Sequence, residues 1–156
     1  MWQASVTVIS FPLILGIAGC SLDPSDERPG LGLSGEIVEE TVSDWSFSRA
    51  FDEIFVETRT SYGVRHSVTI WCASTGDELY ILAYDPDEKR WVANVRSEPN
   101  VRLKIGGKIY SARLRETSDP AVIAAVDRAI LEKYDYEIDE DPDRIAYWRV
   151  AAAAVD

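Results

Sequence analysis

The period of apolar and polar residues changes several times along the chain, and each change marks an element. Val101, Leu103 and Ile105 alternate with Arg102 and Lys104, the period of a half-buried strand, and Gly106-Gly107 supplies the positive φ values of a two-residue turn. Such a turn sets Ile105 opposite Lys108, Leu103 opposite Tyr110 and Val101 opposite Ala112, with Arg102 and Lys104 facing Ser111 and Ile109. Just upstream, Lys89, Arg90 and Trp91 open a short amphipathic helix that must stop before Pro99, since a proline pushes the preceding residue out of the α region. Three earlier runs, 53–59, 65–73 and 78–84, read as strands separated by Tyr62-Gly63 and Gly76-Asp77. Asp85-Pro86 closes the third, and the strand after the glycine turn runs to about residue 116.

Ser118-Asp119-Pro120 begins a longer helix, with a capping side chain and proline at its first position. Over 120–134, Val122, Val126, Ala129 and Ile130 form one apolar stripe while Asp127, Arg128 and Glu132 stay outside. A last strand, 145–153, packs Tyr147 or Trp148 against the sheet. Six strands in antiparallel hairpins and two helices predict a mainly β (α+β) domain built as a small barrel.

The ends differ from this middle. Residues 1–19 hold no charged side chain and are continuously apolar over 11–18, the length of a signal-peptide core. Ile17-Ala18-Gly19-Cys20 resembles a bacterial lipobox, which implies a cleaved signal peptide over 1–19 and a diacylated, palmitate-bearing lipoprotein cysteine at Cys20. The alternative is an uncleaved anchor, against which Gln3 and Pro12 count. Either way the domain faces an aqueous space outside the cytoplasm. By analogy with diderm lipoproteins, Ser21 favours the periplasmic side of the outer membrane. Residues 20–43, rich in Pro, Gly, Ser and acids, read as a flexible tether, leaving 44–156 for the domain.

Charge sharpens the picture. The formal net charge is −11 and the isoelectric point near 4.5, which argues against a nucleic-acid partner. Residues 89–115 nevertheless hold eight Lys or Arg against the single acid Glu98, so an anionic group has its best landing place there. A solvated strand face is the competing reading. His66 is the only histidine, and Cys72 lies in an apolar run with nothing basic beside it in sequence, a buried thiol that is not expected to pair with Cys20. The acidic stretch Asp135, Glu137, Asp139, Glu140, Asp141 and Asp143 lacks the turn glycine of a calcium loop and reads as solvated. No phosphate-loop, nucleophile-elbow or zinc-spaced motif is present, so no metal site is expected.

Two stretches, RHSVTIWCASTGDELYILAYD and EKRWVANVRSEPNVRLKIGGKIYSAR, resemble the split β-barrel flavin-binding superfamily, which includes pyridoxamine 5'-phosphate oxidase and the deazaflavin-dependent nitroreductases. The resemblance covers roughly 45–152 and is strongest over 65–115. It implies a six-stranded antiparallel split barrel, an FMN or deazaflavin cofactor, oxidoreductase chemistry supplied by that cofactor, and a homodimer with the cofactor at the subunit interface. By the match of motifs, Lys89 and Arg90 take the cofactor phosphate at a helix N-terminus, where free N–H groups and the helix dipole favour an anion. Trp91 would cover a planar ring or belong to the core, and Asn94 lies one turn on. On the second strand Ser67, Thr69 and Trp71 share one face and His66, Val68, Ile70 and Cys72 the other, so Ser67 and Thr69 are candidate cofactor contacts. Oxidase-type relatives often carry a basic residue where this chain has Thr69. Two other readings stay open: a non-enzymatic binding module that uses the basic face for another anion or an envelope partner, and a haem-handling protein relying on His66.

Overall fold

A computed structural model describes residues 22–25, 28–138 and 141–153. The stretch 1–19 expected to be a signal peptide and Cys20 lie outside them, as do Asp139 and Glu140 of the acidic loop. Six strands, β2 (Glu53–Arg59), β3 (Arg65–Thr75), β4 (Glu78–Tyr84), β5 (Asn100–Ile105), β6 (Lys108–Thr117) and β7 (Ile145–Ala152), form an antiparallel barrel in the order β6-β5-β2-β3-β4-β7, closed by pairing of β6 with β7. A short β1 (Glu36–Val38) lies outside and parallel to β6. Helix α1 (Arg90–Ser97) joins β4 to β5, and α2 (Pro120–Tyr134) joins β6 to β7.

The β5–β6 hairpin has the register that its glycine turn dictates, from Ile105 opposite Lys108 to Val101 opposite Ala112. Gly106 and Gly107 both have positive φ, and a Cβ on Gly106 would run into the ring of Phe51. Asp119 caps α2 by accepting a 2.9 Å hydrogen bond from the Ala121 N–H. β3 runs two residues further than its β-branched stretch suggests, to the turn at Gly76.

Two apolar clusters explain why β4 and β7 read as nearly continuous hydrophobic runs. Inside the barrel, Ile54, Val56, Leu79, Ile81, Leu103, Ile105 and Trp148 are all but fully buried. On the outer face of β3, β4 and β7, helix α2 covers a second cluster with Val126 and Ile130 against Ala73, Tyr80, Leu82 and Tyr147. Trp148 thus points inward and Tyr147 outward, and both are buried. Asp127, expected on the solvent side of α2, instead accepts a 2.7 Å hydrogen bond from the Tyr147 hydroxyl. Tyr147 alternates outward under the helix, bringing its polar end to that carboxylate.

The larger difference concerns the N-terminal stretch. In place of a free spacer, the described part of 20–43 is a strap laid over the outer face of β5, β2 and β3. Asp23 forms an ion pair with Lys104, Gly30 and Ser67 exchange backbone hydrogen bonds of 2.9 and 3.1 Å, and the Leu33 N–H donates to Glu57 at 2.7 Å. Pro24 and Leu33 are buried beneath it. Composition marks such a segment as loop-forming; what holds it down is one ion pair and three hydrogen bonds of its backbone to strands far away in sequence.

Candidate functional site

β3 and β4 stay together only where 72–75 face 78–81. Beyond that, β4 carries on along β7 through Leu82, Ala83 and Tyr84, whereas β3 remains with β2. The wall opens between them, and α1 starts beside the opening. A cavity of about 300 Å³ fills it, with Val68, Ile70, Leu82, Ala83 and Trp91 as apolar lining, Thr69, Tyr84 and Lys89 as polar lining, and Arg28 and Pro29 of the strap as its outer lip. Because Ser67 turns its backbone groups outward to Gly30, alternation aims the N–H and C=O of Thr69 at the same opening. The Thr69 hydroxyl is buried with no hydrogen-bond partner among the described residues.

The charges at this mouth are unusual for a helix start. α1 has no side-chain cap and no acid in its first turn, yet Lys89 occupies its N-cap and Arg90 its first position. Cations there oppose the helix dipole, at a cost of about 0.3–1 kcal/mol each, unless an anion is held between them and the N–H groups. Among the described residues neither Lys89 nor Arg90 forms an ion pair. Arg90 lies close enough to His66 to add to the burial that pushes the imidazole pKa below its usual 6.5, and among the described residues the buried His66 Nδ1 has no hydrogen-bond partner.

The basic strand face behaves otherwise. Arg102 donates through Nε to Glu57 at 2.8 Å and through Nη2 to the second oxygen, Arg65 approaches the same carboxylate at 3.4 Å, and Lys104 is taken up by Asp23. Glu57 is only 6% exposed. The face expected to await an anion is therefore largely neutralised from within, by acids on β2 and on the strap that a local charge count cannot see. At the helix start Lys89 and Arg90 are left without an ion pair among the described residues, although Lys89 is near enough to Asp85 to help lower its pKa.

Of the residues singled out from sequence, the cavity brings together Thr69, Lys89 and Trp91. Trp91 is at once lining and core: its ring packs on Trp148 at 5.2 Å and 60° and it is buried. Ser67 is sealed under the strap, fully buried, and Arg90 does not line the cavity but lies near enough to His66 to act on its charge. Asn94 donates to the Thr58 hydroxyl at 3.0 Å, away from the cavity. Sequence reasoning missed Arg28 and Tyr84. Tyr84 could have been found from its place at the end of β4 beside Asp85-Pro86; nothing local signals Arg28.

A larger cavity, about 540 Å³, lies below α2, but Glu116 and Asp127 on its lining would repel an anion. Among the described residues no group of three or more His, Cys, Asp or Glu is placed to hold a metal ion, and no helix is long and apolar enough to cross a membrane.

Three solved structures share this architecture. A pyridoxamine 5'-phosphate oxidase-like protein from Listeria innocua superposes with a TM-score of 0.57 at 14% identity, over 70% of this chain and 90% of its own. The haem storage protein HutZ from Vibrio cholerae gives 0.55 at 11%, over 70% and 87%. An F420-H2 dependent reductase gives 0.50 at 17%, over 64% and 94%. At these identities the likeness is one of fold, and it places the domain among the split barrels. No curated protein matches the chain by sequence. The bacterial family described as uncharacterized conserved proteins, DUF2255, matches residues 48–155, and the chain belongs to it.

Proposed function

We propose that the opening between β3 and β4 binds a phosphorylated planar cofactor, FMN or a deazaflavin, and that the protein is an oxidoreductase of the cell envelope, anchored through Cys20 and paired as a homodimer. The observation that carries the reading is the pair Lys89 and Arg90, free of ion pairs, at an uncapped helix N-terminus beside an apolar cavity. The residues fit such a group: a cationic end for its phosphate, an apolar lining for one face of its ring, and a buried hydroxyl and strand amide at Thr69 for its polar edge. At about 300 Å³ the cavity is at the small end of ligand sites, so part of the ligand stays at the surface. When bound, the cofactor supplies electron or hydride transfer. The protein's part is to hold the anion at Lys89 and Arg90, orient the ring edge at Thr69, and keep water from the ring with Val68, Ile70, Leu82 and Trp91.

Titration with FMN, followed by quenching of its fluorescence, tests this. The wild-type chain should bind, and Lys89→Ala with Arg90→Ala should weaken binding tenfold or more, about 1.4 kcal/mol, with the fold intact by circular dichroism. A folded wild type that binds neither FMN nor a deazaflavin, yet is stabilised against heat by another small anion, would leave the same site as a non-enzymatic binding module. The haem storage neighbour keeps a haem-handling role in view, but His66 does not line the cavity.

A further inference from the structure

We propose that the N-terminal strap is a working part of this site, with Arg28 as a further cation opposite Lys89 and the Asp23–Lys104 ion pair as the latch that keeps Arg28 over the opening. The inference rests on the reading of the cavity as an anion site. Lys89 lines the cavity from the barrel side and Arg28 from the strap, and Thr69, whose buried hydroxyl has no partner among the described residues, lines it with them. Arg28 has no ion pair among the described residues, in a chain with a net charge of −11. It stands where β3 itself offers threonine in place of a cation.

The strap is built to hold that arginine in place. Ser25 and Arg28 exchange backbone hydrogen bonds of 2.9 and 3.2 Å, and the Leu31 N–H donates to the Leu22 carbonyl at 2.8 Å, so the segment closes on itself. Pro29 restricts Arg28 to extended backbone. Gly30 is the one residue type that fits its position, because a Cβ there would collide with the backbone of Leu22, Asp23 and Pro24; its absence lets the loop press onto Ser67. The latch is well shielded, with the Asp23 and Lys104 side chains 13% and 16% exposed. Beyond it, the Leu33 N–H is tied to the buried Glu57. A surface decoration does not need three anchor points on the barrel wall, at Lys104, Ser67 and Glu57. The strap also lies outside residues 48–155, the part of the chain that matches the family.

The full chain is titrated with FMN, with riboflavin, which lacks the phosphate, and with inorganic phosphate followed by thermal shift. Arg28→Ala should weaken FMN about tenfold and leave riboflavin unchanged; because the side chain is exposed, the fold should not suffer. Asp23→Asn should reproduce the loss by releasing the strap, with barrel circular dichroism preserved. If Arg28→Ala binds FMN like wild type while Lys89→Ala does not, the strap has no role and the cofactor reading stands. If wild type binds no flavin but phosphate stabilises it in an Arg28-dependent manner, the cofactor reading falls and the strap keeps its role. If neither probe binds, both are overturned.

Discussion

His66 reports on the site although it does not line it. Burial, and secondarily the charge of Arg90, lower its pKa in the folded protein below 6.5. The folded state then binds fewer protons than the unfolded one, so this stability contribution is intact above about pH 6.5 and is lost as pH falls toward the folded pKa. As the only histidine, its imidazole can be titrated alone by NMR. Arg90→Ala should raise its pKa only partway, because burial is the larger cause, and an anion bound at Lys89 and Arg90 should raise it in wild type. A pKa indifferent to both would separate His66 from the site. Cys72 shows a different limit of local reading. It is buried as expected, but the Lys133 ammonium lies 3.5 Å from its sulfur while donating to the carbonyls of Phe51 and Cys72. Burial still pushes the thiol pKa up, with Lys133 opposing, so proximity to a cation has not made it a thiolate.

At the scale of elements, the β5–β6 hairpin was legible because its turn and its period are both local, and residues 106 and 107 test how the turn is held. Both need positive φ, which an alanine adopts at about 1–2 kcal/mol. Gly107 has nothing near its missing Cβ, whereas Gly106 faces the Phe51 ring. In urea unfolding, Gly107→Ala should lose roughly that amount, and Gly106→Ala clearly more. Equal losses would show that the ring moves aside freely. Helix α1 was equally legible through its Lys-Arg start and its proline stop. The cavity beside it was not, since it exists only because β4 leaves β3 for β7, a choice made by pairing across the barrel.

For the whole molecule, the strap changes how a lipid anchor would work. If Cys20 is acylated, only two residue steps, about 7 Å of chain, separate it from Leu22, where the strap is already on the barrel. The domain would then sit against the bilayer rather than nanometres above it. Leu22 and Leu31, 52% and 49% exposed at that end, suit such a surface. In cells, wild type should take up palmitate and partition into detergent, and Cys20→Ser should do neither. A Cys20→Ser protein that stays with the membrane would point to the uncleaved apolar segment instead.

What sequence alone determined were the elements with local causes: the hairpin, the capped helix over 120–134, the strand periods, and the cationic start of the helix beside the cavity. Those depend on steric limits of glycine and proline and on side-chain alternation, which act within a few residues. Tertiary structure decided which cations are free. Arg102 and Lys104 are neutralised by Glu57 and Asp23, 45 and 81 residues away along the chain, while Lys89 is left open beside Arg28. Coulombic pairing depends on distance in space, and only folding determines which charges meet.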